Sequence, residues 1–493
     1  MNPIKSLLGQ TAIYGLPTIV GRLLNYFLVP LYTSEDVFKN PADYGVVSEL
    51  YAWVAFLIIL LPLGMETAFF KFLHDKPDRD EVFRSSFLTV IGFNAFFFVL
   101  LLLGSQGIAD LMMYSEHPEF IVLLGAIVCV DAIAALPMAK LRAENKAVKF
   151  TTIHFSAIVV NIGLNLFLML VVFNPDEPME GVLFILIANL LASCVKLVGT
   201  YKDFIHIQWK VNKKLILEML TYSLPLVIAG FAGIINETLD RVMMKPILIG
   251  SGNDKEQALL QVGIYSACYK LAMIVTIFLQ AYRYAAEPFF FAQAKNQDRN
   301  KIYVKVMNYF VAAVCLVFLG VSLNIDIFKH FIQSPKYWVG LGVVPILLIA
   351  NVFLGVYYNQ SIWYKLSGQT RFGAFIAIGG ALITVLINAI FIPIYGFWAS
   401  AWATLLVYGL QMIASYILGQ KYYPIKYNLR KFGLYFGLAV FLYLITLSFN
   451  FEAYKEGLNW SKFFVHNLLI LFYVFVVWFI EKPSLSRVPA NRE

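Results

Sequence analysis

Ser85-Ser-Phe-Leu-Thr-Val-Ile-Gly-Phe-Asn-Ala-Phe-Phe-Phe-Val-Leu-Leu-Leu-Leu103 runs for nineteen residues without a charged side chain. A helix needs about 20 apolar residues to cross the hydrocarbon core of a bilayer, so the stretch reads as a membrane span. Similar runs lie on both sides of it. Residues 11–32, 44–70, 120–139, 152–173, 181–200, 219–244, 262–290, 306–323, 341–363, 373–393, 398–418, 432–449 and 463–480 bring the expected total to fourteen. The shortest link, Ile394 to Phe397, makes the split between spans eleven and twelve the narrowest. Pro17, Pro62, Pro225 and Pro345 lie inside runs and predict kinks, because proline removes a helical hydrogen bond and frees a carbonyl.

The basic residues set an orientation for this map. Of 38 Lys and Arg, 26 fall on the side of the N-terminus, 7 on the opposite side and 5 within spans. Basic loops stay in the cytoplasm, so both termini are expected there. The loop with Lys140, Arg142, Lys146 and Lys149 is an inner one; Asn174-Pro-Asp-Glu-Pro-Met-Glu180, without a basic residue, is an outer one. The first span is expected to stay as a signal anchor, since no cleavage-like site follows it.

Composition points the same way. The 493 residues are 60% hydrophobic, 16% aromatic and 14% charged, against about 25% charged in soluble proteins. The net charge of +8 is accounted for by membrane topology and predicts no nucleic-acid partner. Cys129, Cys194, Cys268 and Cys315 each lie in an apolar run, and the six histidines have no metal spacing, so neither a disulfide framework nor a metal site is expected. The chain has no P-loop, no His-Glu-x-x-His and no Gly-x-Ser-x-Gly. No ATPase, cofactor or catalytic residue is therefore expected. The outer loops are too short for a catalytic domain.

The spans repeat. Tyr14-Gly-Leu-Pro17 in span one matches Tyr222-Ser-Leu-Pro225 in span seven. Gly45-x-x-Ser48-x-x-Tyr51 matches Gly263-x-x-Ser266-x-x-Tyr269. Glu66-Thr-Ala-Phe-Phe70, Lys140-Leu141 and Asn165 have counterparts in Glu287-Pro-Phe-Phe-Phe291, Lys365-Leu366 and Asn388. Six spans per repeat is an even number, so the two halves run parallel, related by an axis along the membrane normal. The expected organisation is an all-α membrane protein with a six-helix lobe at 1–200, an amphipathic connector at 201–218, a second six-helix lobe at 219–418, two further spans within 432–480 and a tail at 481–493. The connector, with Lys202, Lys210, Lys213, Lys214 and Trp209, suits the membrane interface.

Several of these residues carry a family likeness. Asp43-Tyr44-Gly45, Tyr222-Ser-Leu-Pro225, Asp240-Arg241, Gly263-Ile-Tyr265 and Lys365-Leu-Ser-Gly-Gln-Thr370 resemble the polysaccharide-export branch of the multidrug/oligosaccharidyl-lipid/polysaccharide exporter superfamily, and within it the O-antigen flippases of the Wzx type. The resemblance covers about residues 7 to 480. It implies two lobes around a central cavity and alternating access. It also implies an undecaprenyl-diphosphate-linked oligosaccharide as cargo, moved from the cytoplasmic to the periplasmic leaflet of the inner membrane. Membrane lipids and glycan-assembly proteins would be its partners. The same superfamily holds lipid II flippases and drug-exporting antiporters, so the fold does not name the cargo.

Charges in the hydrocarbon cost about 2.5–3.5 kcal/mol each on insertion scales and need a partner or a use. Arg22 lies mid-span, on one helical face with Thr11, Gly15, Thr18 and Asn25. Arg22, Asn25 and Lys270 are the first candidates for an anionic headgroup; the alternative for Arg22 is an ion pair with Glu49 or Asp131. Arg241 and Arg283 are further candidates, although Glu237 and Glu287 stand four residues away and suit local pairs. Asp131 has no basic neighbour on its own helix. It is either protonated by desolvation or paired across helices, and it is the first candidate for cation coupling, with Glu49, Glu66 and Asp240 as weaker coupling candidates. Lys196 is near enough to the inner face to snorkel. The amides Asn25, Asn161, Asn165, Asn189, Asn236, Asn351, Asn359 and Asn388 suit hydrogen bonds between helices. The function expected from all this is a flippase for lipid-linked oligosaccharide driven by an ion gradient or the membrane potential. The alternatives are a drug or cation antiporter of the same fold and, third, a membrane-embedded glycan polymerase, ligase or acyltransferase.

Overall fold

Polar caps and prolines set where the helices start. Asn40 accepts a hydrogen bond from Ala42 N, with Pro41 in the first turn, and opens α2. Asp78 caps the helix that carries residues 85–103, and Asn212 caps the one at Lys213. Such caps satisfy amides that have no partner inside the helix. The computed structural model describes residues 20–21, 23–76, 78–294, 296–448 and 460–485, and every element among them is helical.

In chain order the elements are a short apolar helix α1 (Leu23–Tyr32), α2 (Pro41–Leu60), α3 (Met65–Asp75), α4 (Arg79–Leu111), α5 (Pro118–Ala143) and α6 (Ala147–Phe167). Then come α7 (Pro178–Gly199), α8 (Lys213–Gly250), α9 (Lys255–Gln293), α10 (Arg299–Leu323) and α11 (Val343–Gln360). The chain closes with α12 (Ile362–Leu366), α13 (Arg371–Tyr395), α14 (Phe397–Tyr422), α15 (Leu429–Ser448) and α16 (Trp460–Leu485). Among the described residues, thirteen helices are long and apolar enough to cross a membrane, with α2 and α3 counted as one. They overlap expected spans two to fourteen. The first part of span one lies outside the described residues, Pro17 and Arg22 included.

Three local details follow from single residues. Span two is interrupted around Pro62: α2 stops at Leu60, Leu63 and Gly64 turn to φ 54° and 64°, and α3 starts at Met65. The carbonyl of Leu61, left without a helical partner, accepts from Asn94 Nδ2 of α4 at 3.0 Å. Pro225, by contrast, sits inside the unbroken α8. The four-residue link at 394–397 is a genuine turn, because Gly396 adopts φ 55° and ends α13. A side chain there would also lie 2.1 Å from Gln261 Oε1, which accepts from Phe397 N. The connector makes one turn at Tyr201–Asp203 and then leads into α8, with Trp209 84% exposed.

The contacts divide the chain into two units, residues 1–266 with 377–397, and residues 267–376 with 398–493. In the first, α4 packs on α5, α5 and α6 pack on α7, and α2 packs on α8. Small residues of α5, among them Gly125, Ala132, Ala134 and Ala139, are buried and allow close approach. In the second, α10 packs against α11, α15 and α16. Large apolar side chains such as Leu103 and Val148 stay exposed, as lipid-facing positions do.

Candidate functional site

Within the first unit, polar side chains join the helices at defined points. Asn161 of α6 donates to Asn25 Oδ1 of α1 at 3.0 Å, and Asn165, one turn on, donates to Asn161 O and accepts from Tyr32. α13 and α8 show a matching arrangement. Thr384 donates to Asn236 Oδ1 at 3.0 Å, and Asn388, one turn on, donates to Thr384 O. Asn165 and Asn388 are almost completely buried. Each amide meets a partner that hydrocarbon cannot offer.

A second point is the crossing of α2 with α9. A Cβ on Gly45 would stand 2.1 Å from Leu259 O, and one on Gly263 would stand 1.9 Å from Pro41 O. In both cases the blocking carbonyl lies four residues before the opposite glycine. The contact is reciprocal, as at a local twofold axis. Only residues without a Cβ permit it.

One turn along α2 from Gly45, Glu49 is 2% exposed. Its Oε2 accepts from Lys245 Nζ of α8 at 2.7 Å and from Tyr114 OH at 2.6 Å. Lys245 also donates to Met112 O and lies 4.1 Å from the Tyr114 ring centroid. Lys255 donates to Met113 O and covers the same ring. Burial, and then the neighbouring carboxylate, hold the phenol of Tyr114 well above its usual pKa, so it remains a donor. At the same end Asn40 donates to Glu256 at 2.5 Å and Lys39 pairs with Asp176. α2, α8 and the start of α9 are thus fastened together at the end where α2 begins.

The remaining candidates have specific surroundings. Asp131 accepts from Lys196 Nζ of α7 at 2.8 Å, with both side chains partly exposed. Glu66 pairs with Arg142 at 2.5 Å. Asp240 is 4% exposed and accepts from Tyr265 OH and from Arg241 N. Arg241 donates to the carbonyl of Glu237 and lies over the Tyr265 ring. In the second unit, Arg283 lies over the Tyr358 ring at 5.0 Å, and Lys270 is half-buried. The Glu287 side chain, like Arg22, lies outside the described residues. The acids Glu49 and Asp131 therefore meet Lys245 and Lys196. Sequence reasoning missed Lys245 and Tyr114. It ended span seven at residue 244, whereas α8 runs on to Gly250. The apolar Pro246-Ile-Leu-Ile249 that follows Lys245 was the available signal. Among the described residues no group of three or more His, Cys, Asp or Glu side chains is placed to hold a metal ion.

Residues 7–293 match the model of a family described as polysaccharide biosynthesis protein. No curated protein matches the chain in sequence. Solved structures match it in fold. A lipid II flippase, MurJ, in an inward closed conformation gives a TM-score of 0.71 at 14% identity, over 96% of this chain and 99% of that one. An inward-facing multidrug resistance MATE family transporter of the MOP superfamily gives 0.59 at 13% identity, over 83% and 94%. A Vibrio cholerae MATE transporter gives 0.53 at 13%, over 85% and 98%.

Proposed function

The chain belongs to the polysaccharide biosynthesis protein family, and on that premise we propose that it is a flippase that carries a lipid-linked oligosaccharide, with an undecaprenyl diphosphate anchor, across the inner membrane. It is a multi-pass membrane protein with the fold of flippases and transporters of the MOP superfamily. The observation that carries the cargo reading is coverage. The likeness to the lipid II flippase takes in nearly the whole chain, whereas the likeness to the drug transporters leaves more of it unmatched.

Transport proceeds by alternating access between two lobes, 1–200 and 219–418. The matched contacts Asn161–Asn25 and Thr384–Asn236 support this division, as does the reciprocal crossing of Gly45 and Gly263. With basic loops inside, the crossing and the Glu49–Lys245–Tyr114 cluster lie at the outer end. On this reading they hold that end closed and must part for the cargo to leave.

The cargo's diphosphate meets Arg22. A guanidinium at mid-depth cannot reach either interface, and it binds phosphate through forked hydrogen bonds. Asn25, on the same face, adds a polar neighbour; Lys270, Arg241 and Arg283 are further basic contacts. The work comes from an ion gradient or the membrane potential, since moving one charge through 100 mV supplies about 2.3 kcal/mol. Asp131 is the first choice of coupling acid because its Lys196 pair is partly exposed and open to exchange; Glu49, Glu66 and Asp240 follow.

Two experiments test the proposal. Deletion in the native host leads to accumulation of a lipid-linked oligosaccharide in the cytoplasmic leaflet; if no such intermediate accumulates, the cargo is wrong. Reporter fusions at Asn174 read outside and at Lys426 inside; reversal at either overturns the orientation.

A further inference from the structure

At one end of the second unit, the starts of α10 and α15 and the ends of α11 and α14 enclose a half-open cavity of about 170 Å³. Its wall is apolar, formed mainly by Val311, Val356, Met412 and Phe432. An apolar cavity of about 150 Å³ holds a guest the size of benzene, so this one takes a short run of methylenes and no headgroup. Ile413 and Leu429 line it while about half exposed, so the mouth opens on an apolar flank.

Two observations show that the guest is more than a hydrocarbon. Gln360, 5% exposed, lines the cavity with its Oε1 unpartnered, and the hydroxyl of Tyr427, another lining residue, is buried and unpartnered. Buried polar atoms of this kind ask for a complementary group. The rim is also basic. Lys426 and Arg430 flank the lining residues Tyr427, Asn428 and Leu429, and both are exposed. Lys305 stands one turn before the lining residue Asn308. Lys431, next in line, is already held by Glu481 at 2.5 Å.

An apolar slot, a buried hydroxyl donor and neighbouring cations match the acyl chain, ester and phosphate of a lipid. We propose that this cavity binds an anionic phospholipid of the surrounding bilayer, with an acyl segment between Val311 and Phe432, an ester oxygen accepting from the Tyr427 hydroxyl, and the phosphate at Lys426 and Arg430. Basic pockets between membrane helices bind anionic headgroups in this manner. The proposal does not depend on the transport reading.

Native mass spectrometry of the full chain in detergent tests it, with dioleoyl phosphatidylglycerol and dioleoyl phosphatidylcholine as probes at equal concentration. Phosphatidylglycerol is expected to be retained in preference. Lys426→Gln and Arg430→Gln, both at exposed positions, should each lower its occupancy about fivefold, the effect of one basic residue near a charged headgroup. Ile413→Trp should plug the mouth and reduce both lipids; if that variant does not fold, the two charge variants decide. Equal retention of the two lipids, or phosphatidylglycerol binding unchanged in the charge variants, overturns the proposal. So does displacement of phosphatidylglycerol by equimolar undecaprenyl phosphate, which would make the cavity a cargo site.

Discussion

Lys245→Met removes the cation from a carboxylate that has no access to water. The side chains of Glu49 and Lys245 are each 3% exposed, with 2.7 Å between the charged atoms. Breaking a buried pair by deleting one partner costs about 3–5 kcal/mol, because the other charge stays buried without compensation. Glu49→Gln should cost a similar amount by stranding the ammonium, which keeps contacts to the carbonyl of Met112 and the Tyr114 ring. Tyr114→Phe removes one hydrogen bond to a charged acceptor, about 1.5–3 kcal/mol. The double variant Glu49→Gln with Lys245→Met takes out both charges at nearly constant volume and should fall close to the parent. The coupling between the two positions is therefore several kcal/mol. Equilibrium unfolding in mixed micelles, followed by helical circular dichroism, reads each value. Single variants costing less than about 1 kcal/mol, or a double variant equal to their sum, would refute the account of this cluster.

Three further outcomes follow. Gly45→Ala and Gly263→Ala should each destabilise by about 1–3 kcal/mol, since the new methyl meets a backbone oxygen that no side-chain motion relieves. The double variant should cost less than the sum, because the first methyl already separates the helices; tolerance of both within about 0.5 kcal/mol would show that the crossing is loose. Asp131→Asn should lower transport and change its ion dependence in proteoliposomes, and full transport with unchanged ion dependence removes Asp131 as the coupling acid. Arg22→Ala should insert normally and abolish transport while Arg22→Lys retains part of it; normal transport by Arg22→Ala, or failure only through loss of the protein from the membrane, shows that the arginine does not bind the cargo.

The spans were legible because hydrocarbon thickness imposes a length on every one of them, and that length survives in the sequence without knowledge of neighbours. The interruption at Pro62 was legible for a similar local reason. The glycines 45 and 263 were legible as equivalent positions. That they touch each other is a property of three-dimensional closure and left no separate trace. The ion pairs were the least legible part. Asp131 and Glu49 each had several basic residues available on other helices, and charge alone does not choose among them. Lys245 was hidden by one turn of helix: with α8 ending at residue 244 it belongs to a loop, and with α8 ending at Gly250 it is a buried countercharge.

The most direct test is leaflet exchange by the purified chain. Lipid-linked oligosaccharide is incorporated into both leaflets of proteoliposomes, and a membrane-impermeant glycosidase is added outside. Without flipping, the enzyme reaches only the outer half of the glycan. The account predicts that the chain, with an ion gradient or potential imposed, raises the digested fraction well above that half, and that Arg22→Ala returns it to the protein-free level. A digested fraction that stays at the protein-free level in vesicles shown to contain folded protein would contradict the claim that this chain flips lipid-linked oligosaccharide.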